Sequence, residues 1–204
     1  MKVNAVNNLE YSAGAVSKGF WFQEFKKYNH LLKEGFKDSE IKKMQKEQNI
    51  FLASSANYGR RMINEVSKRA RALPKEIAHM FTSLPVSDQK ILNLLAIMMT
   101  DRLFFEFMYE VYREKLITGN LQFNNSDIRA FLVNKATQSE KVTNFTPQTK
   151  KRLAGTYKTY LKEANLLEEN GKTYVVKRPI LDINLEKKMR NKALYPYLII
   201  FLGE

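Results

Sequence analysis

The segment from Asn57 to Leu73, NYGRRMINEVSKRARAL, sets five Lys and Arg residues around a single Glu. Guanidinium, ammonium and amide groups are the usual donors to phosphate and sugar oxygens. Turned into a helix at about 100° per residue, the segment gathers Asn57, Arg60, Arg61, Asn64, Lys68 and Arg71 into one arc. Met62, Ile63, Val66, Ala70 and Leu73 fall on the opposite arc. Glu65 stands at the edge and can offset Arg69 at i+4, while Arg60 and Arg71 have no carboxylate three or four residues away. Solvated helix faces normally mix both signs. This one is almost purely positive, which suits a polyanion; a basic surface facing only water is the competing reading.

A second stripe lies further on. Lys151, Lys158 and Lys162 recur at i, i+7 and i+11 with Arg152 beside them, and Leu153, Tyr157, Tyr160, Leu161 and Ala164 line the other face. If this is the second helix of a helix-turn-helix, the stripe faces the duplex. Lys172, Lys177 and Arg178 would then follow a neighbouring phosphate strand. Lysine offers charge without a fixed fork of donors, so such a surface reads charge better than base sequence.

Catalytic chemistry finds less support. His30 and His79 are the only histidines, and neither has a nearby Asp, Glu or Ser pattern to orient it. The chain has no cysteine, which removes disulfides, thiolate zinc sites and cysteine nucleophiles. The phosphate-loop, dinucleotide, zinc-protease and serine-elbow motifs are absent, and the carboxylates are scattered among lysines. The expectation is a protein that is not an enzyme, with no cofactor, no metal and no small-molecule substrate.

The elements that would carry these faces are mostly helical. Ser17 to Lys33 reads as one helix ended by Gly35, with Asp38 capping a second over Ser39 to Glu47. Ser54 and Ser55 open the basic helix, and Pro74 begins a fourth. Ser87 and Asp88 start a helix through Ile91 to Met99, which is apolar on almost every face; the following Arg102 to Leu116 continues in helical register. The apolar run is too short for a membrane span, which needs about 20 residues, so it reads as a buried core helix. Ser126 caps a helix to about Gln138, and Thr146 with Pro147 opens the next, to about Ala164. Asn170-Gly171 is a hairpin turn between two short extended runs. Helix, turn, helix and hairpin is the order of winged-helix modules. A charged helix over Asn184 to Lys192 and an apolar terminal segment, LYPYLIIFL, complete the chain. The predicted fold class is mainly α: a helical part over residues 1–119, then a smaller helical part with a β-hairpin over residues 120–204.

The 204 residues carry 34 Lys and Arg against 21 Asp and Glu, a formal net charge of +13. Such an excess attracts nucleic acid or an anionic membrane. Membrane binding needs an exposed apolar face beside the basic one, and the apolar arcs here have the width a core uses, so no membrane partner is expected. The start, MKVNAVNNLEYSAG, lacks an apolar signal region; with the absence of cysteine this fits the cytoplasm.

Several longer stretches together resemble one family. YSAGAVSKGFWFQE, LLAIMMTDRLFFEFMYEVYREK, QSEKV at Gln138 to Val142 and PILD at Pro179 to Asp182 are similar to the BrxA family of BREX, a bacterial system that excludes bacteriophage. The resemblance runs from about Tyr11 to Leu202. It implies a NusB-like helical fold and a capacity to bind double-stranded DNA, with other BREX proteins as partners, and it brings no catalytic motif. The expected function is therefore a DNA-binding component of phage defence acting through phosphate contacts with weak sequence preference. An adaptor docking acidic surfaces of other defence components, or an RNA-binding protein, are the alternatives.

Overall fold

The computed structural model describes residues 6, 8–171, 173–191 and 193–204. Helices α1 (Phe22–Lys33), α2 (Asp38–Gln48), α3 (Ala56–Ala72) and α4 (Lys75–Met80) lead to α5 (Val86–Thr100). Ile91, Leu92, Leu94, Leu95, Ala96, Ile97 and Met98 of α5 are all buried, because α1, α3 and the next helix pack around it. A helix apolar all round belongs in an interior. Among the described residues no helix is long and apolar enough to cross a membrane.

The first helix starts later than its periodicity suggests. Gly14–Ser17 forms a separate 3-10 turn, and Trp21 sits at φ 49° just before α1. The reason is tertiary: the carbonyls of Gly19 and Phe20 accept hydrogen bonds from Arg69, and that of Phe20 also from Asn93. These bonds hold the segment before Phe22 in a non-helical path. Asp38 is likewise not the cap of α2. It is the first helical residue, and its carboxylate accepts from Tyr28 Oη, Ser67 Oγ (2.6 Å) and Lys42 Nζ (2.7 Å).

Helix α6 comprises Arg102–Phe107, a π-helical turn Met108–Tyr112 and Arg113–Thr118. It is not continuous with α5. Asp101 turns extended and caps α6 by accepting from the Phe104 amide at 3.0 Å. Glu106 of α6 accepts from Tyr11 Oη and Arg102 Nε, 2.8 Å each, and pairs with the buried Lys135 at 2.7 Å. This cluster ties the N-terminal segment to the helix that carries Lys135 (Asn125–Gln138).

Beyond Gly119, at φ 72°, come β1 (Gln122–Phe123), α7 (Asn125–Gln138), α8 (Glu140–Thr143), α9 (Pro147–Glu163), β2 (Leu167–Asn170) and β3 (Thr173–Val176). The three strands form one antiparallel sheet in the order β1-β3-β2, with Phe123 opposite Tyr174 and Asn170 opposite Thr173. The hairpin stands where the sequence places it; β1 is an addition. This is a winged-helix-like order built onto α6. Helices α10 (Ile183–Met189) and α11 (Tyr195–Leu202) close the chain.

One aromatic core crosses Gly119. The Tyr157 ring lies 5.0 Å from both Phe104 and Phe107, Phe107 is 5.6 Å from Phe131, and Phe105 is 5.4 Å from Tyr197. Aromatic rings at these separations favour tilted and edge-on packing beyond their area burial. Tyr112 Oη adds a 2.6 Å hydrogen bond to the Lys177 carbonyl.

Candidate nucleic-acid interface

Ser55 starts α3 by accepting from the Tyr58 amide at 3.2 Å, which fixes the rotation of the basic arc. Met62, Ile63, Val66 and Ala70 are buried, whereas Arg60, Arg61, Asn64, Lys68 and Arg71 are exposed. Arg60, Arg61, Lys68 and Arg71 have no carboxylate oxygen within 4.0 Å among the described residues. Their visible contacts are light: Arg60 Nη2 donates to Asn57 Oδ1 (3.2 Å), the Arg61 guanidinium lies 5.7 Å from the Tyr58 ring, and Lys68 Nζ donates to the Thr100 carbonyl (3.4 Å).

The fifth cation of the segment does something else. Arg69 is fully buried; Nη1 donates to the Phe20 carbonyl at 2.8 Å and Nη2 to that of Gly19 at 3.0 Å. Its Nε is 3.5 Å from Glu65, as the i+4 spacing suggests, and Glu65 also takes Lys18 at 2.8 Å. The Arg69 Nε makes no hydrogen bond among the described residues, so the buried charge is held by the two Nη donors and by the nearby Glu65 carboxylate. Arg69 is an internal clamp, and the surface keeps four cations.

Helix α9 presents the second face. Thr146 accepts from the Thr149 amide at 3.1 Å with Pro147 at the first turn, and Leu153, Tyr157, Tyr160 and Leu161 point into the aromatic core. Lys151, Arg152 and Lys162 are exposed and Lys158 is half-buried. The hairpin lies against this face, with Lys158 and Lys162 Nζ 5.0 and 5.2 Å from the centre of the Tyr174 ring. Lys162 is 3.7 Å from Glu169, and Lys177 is 3.0 Å from Glu168; both therefore share their charge with the hairpin. Arg152 Nη2 donates to the Val16 carbonyl at 3.2 Å. Arg178 is exposed. Lys172 lies outside the described residues.

Two cations join this face that the sequence stripe leaves out. Arg129 of α7 and Lys150 of α9 line a groove of about 660 Å³ with Lys151, Lys158, Leu132 and Val133. Arg129, Lys150, Lys151 and Lys158 have no carboxylate within 4.0 Å among the described residues. Lys150 lies about 100° round the helix from Lys151, outside the stripe, and only the proximity of α7 brings it in. Arg129 belongs to a different helix, and nothing local marks it.

The segment from Val16 to Trp21 is the seam between α3 and α9. Lys18 pairs with Glu65 on one side, and on the other its carbonyl accepts from Tyr160 Oη at 2.8 Å.

The groups with shifted titration belong to the scaffold. Burial pushes the Asp38 carboxyl up, but hydrogen bonds from Lys42, Ser67 and Tyr28 outweigh it and bring its pKa down to about 2. Burial likewise pushes Glu106 up, and Lys135, Arg102 and Tyr11 overcome it, leaving the carboxyl below its ordinary value. Among the described residues no group of three or more His, Asp or Glu is placed to hold a metal ion. His30 is half-buried on α1 and His79 exposed on α4.

The fold has a solved counterpart. A crystal structure of an uncharacterized protein from Magnetospirillum magneticum superposes with a TM-score of 0.73, covering 94% of this chain and 98% of that one at 16% identity. At that identity the likeness speaks for fold alone. In sequence, the chain is 32% identical over 199 residues to the BREX protein BrxA of Bacillus cereus (strain H3081.97), covering 98% of this chain and all of that protein. The BrxA family model matches residues 9–192. The chain belongs to the BrxA family.

Proposed function

We propose that this protein is a non-enzymatic, cytoplasmic double-stranded DNA-binding component of a BREX phage-defence system. The observation that carries the reading is the α9 surface, where Lys150, Lys151, Lys158 and Arg129 border one groove without a carboxylate partner among the described residues. Unneutralised cations gathered on one face repel each other; a polyanion relieves that repulsion and releases its own counterions on binding. The exposed face of α3, with Arg60, Arg61, Lys68 and Arg71, supplies a second region of the same character. Membership of the family, and the BREX component among its relatives, supply the setting of phage defence and suggest other BREX proteins as partners.

The test is charge reversal. Lys151→Glu with Lys158→Glu is expected to abolish mobility shifts on unrelated duplexes while leaving thermal unfolding unchanged. Full duplex binding by the double variant, together with loss of capture by other proteins of the same system, would replace DNA binding with an adaptor role.

A further inference from the structure

Gly155 is a glycine in the wrong place for stability. It lies inside the 17-residue helix α9, where glycine costs helix stability relative to alanine because of its backbone freedom. Such a glycine is usually explained by a neighbour too close for a Cβ. Here a Cβ would meet no described residue within 4 Å, and the glycine is exposed. Nothing among the described residues accounts for it.

Its position on the surface is specific. At about 100° per residue, Gly155 falls midway between Lys158 and Arg152, which stand about 120° apart, with the exposed Glu163 about 20° beyond Arg152. Lys151 and Lys162 lie within about 40° of it. Thr159, the next small residue along this line, turns its hydroxyl back to donate to the Gly155 carbonyl at 3.0 Å. The helix therefore has a low spine flanked by long cationic arms.

We infer that α9 enters the major groove of B-form DNA with Gly155 facing the groove floor, nearer than a Cβ would permit, while the flanking cations reach the phosphates. The inference rests on the DNA-binding reading above and specifies its geometry. A B-form major groove about 12 Å wide admits a helix about 10–12 Å across with little room to spare, so removing one side chain from the leading edge lets the axis sink further. The A-form groove of duplex RNA is too narrow for a helix to enter, so the same geometry selects DNA over RNA.

The experiment compares the full-length protein with Gly155→Ala and Gly155→Leu on one duplex at low salt, in DNA and in RNA form, with melting of each protein. Gly155→Ala is expected to melt about 2–4 °C higher and to bind duplex DNA about tenfold more weakly, with Gly155→Leu weaker still. Wild type should prefer the DNA duplex, and bulky groups on cytosine C5, which project into the major groove, should block it. Unchanged DNA affinity in both variants, or equal binding of duplex RNA, overturns the inference while leaving DNA binding standing. Failure of the wild type to bind any duplex removes the underlying reading instead. Loss of self-association rather than of DNA affinity in Gly155→Ala would assign the glycine to a contact between copies and likewise overturn it.

Discussion

Arg69 spends a charge in the interior to hold two carbonyls, those of Gly19 and Phe20, that no regular element uses. Removing it leaves Glu65 with a vacated neighbour and the Gly19 carbonyl without this donor. Arg69→Met is therefore expected to destabilise the fold by about 2–4 kcal/mol, measured by urea unfolding. Arg60→Ala, on the exposed arc of the same helix, should stay within about 0.5 kcal/mol. Equal effects would deny the division between clamp and surface. The division was partly legible: on the wheel Arg69 stands about 180° from Arg60, at the edge of the apolar arc beside Met62. What the sequence could not reveal was which carbonyls it reaches, because they come from a segment some fifty residues away (sequence separations of 49 and 50). Leu52 is the opposite case, a leucine at φ 51° with 88% of its surface exposed. Left-handed backbone is strained for leucine and tolerated by asparagine, so Leu52→Asn should raise the melting temperature by about 1–3 °C. An unchanged or lower value would show that the leucine has a compensating contact.

At the scale of elements, local signals did best where caps and periodicity agree. Ser55 and Thr146 open α3 and α9 as their spacing suggests, and both helices bury the arc that the wheel makes apolar. Strand β1 was not legible, because two residues cannot show a period and the partner strand lies about fifty residues on. Helix α1 was overextended because hydrophobic spacing cannot register that Arg69 and Asn93 tie the Gly19 and Phe20 carbonyls outside the helix. The junction of α1, α2 and α3 depends on Asp38, whose folded pKa of about 2 lies below its ordinary 3.8. A depressed carboxylate stabilises the fold above its unfolded pKa and loses that contribution as pH falls through the folded value. Stability should therefore decline between about pH 4 and pH 2 by a component that Asp38→Asn lacks. Urea midpoints followed against pH would show it, and identical pH profiles for the two proteins would refute it.

For the whole molecule, the net charge of +13 suggests a polyanion partner more plainly than any motif does, and the family resemblance supplied the biological setting. The placement of cations was only half readable. The stripes on α3 and α9 follow from periodicity, whereas the contribution of Arg129 and Lys150 requires α7 and α9 to meet, and the neutralising roles of Glu168 and Glu169 require the hairpin to fold back. Gly119 marks a change in the character of the sequence, yet Phe104 and Phe107 on one side pack on Tyr157 and Phe131 on the other. Heat should consequently unfold the chain in one transition, and two separated transitions in calorimetry would show independent halves. The central claim, that unpaired cations on α9 and α3 meet duplex phosphates, is tested most directly by the salt dependence of binding. For about six phosphate contacts, log affinity should fall against log salt with a slope near −5, and Lys151→Ala should reduce that slope by about one. Binding indifferent to salt, or no binding at low salt, would contradict it.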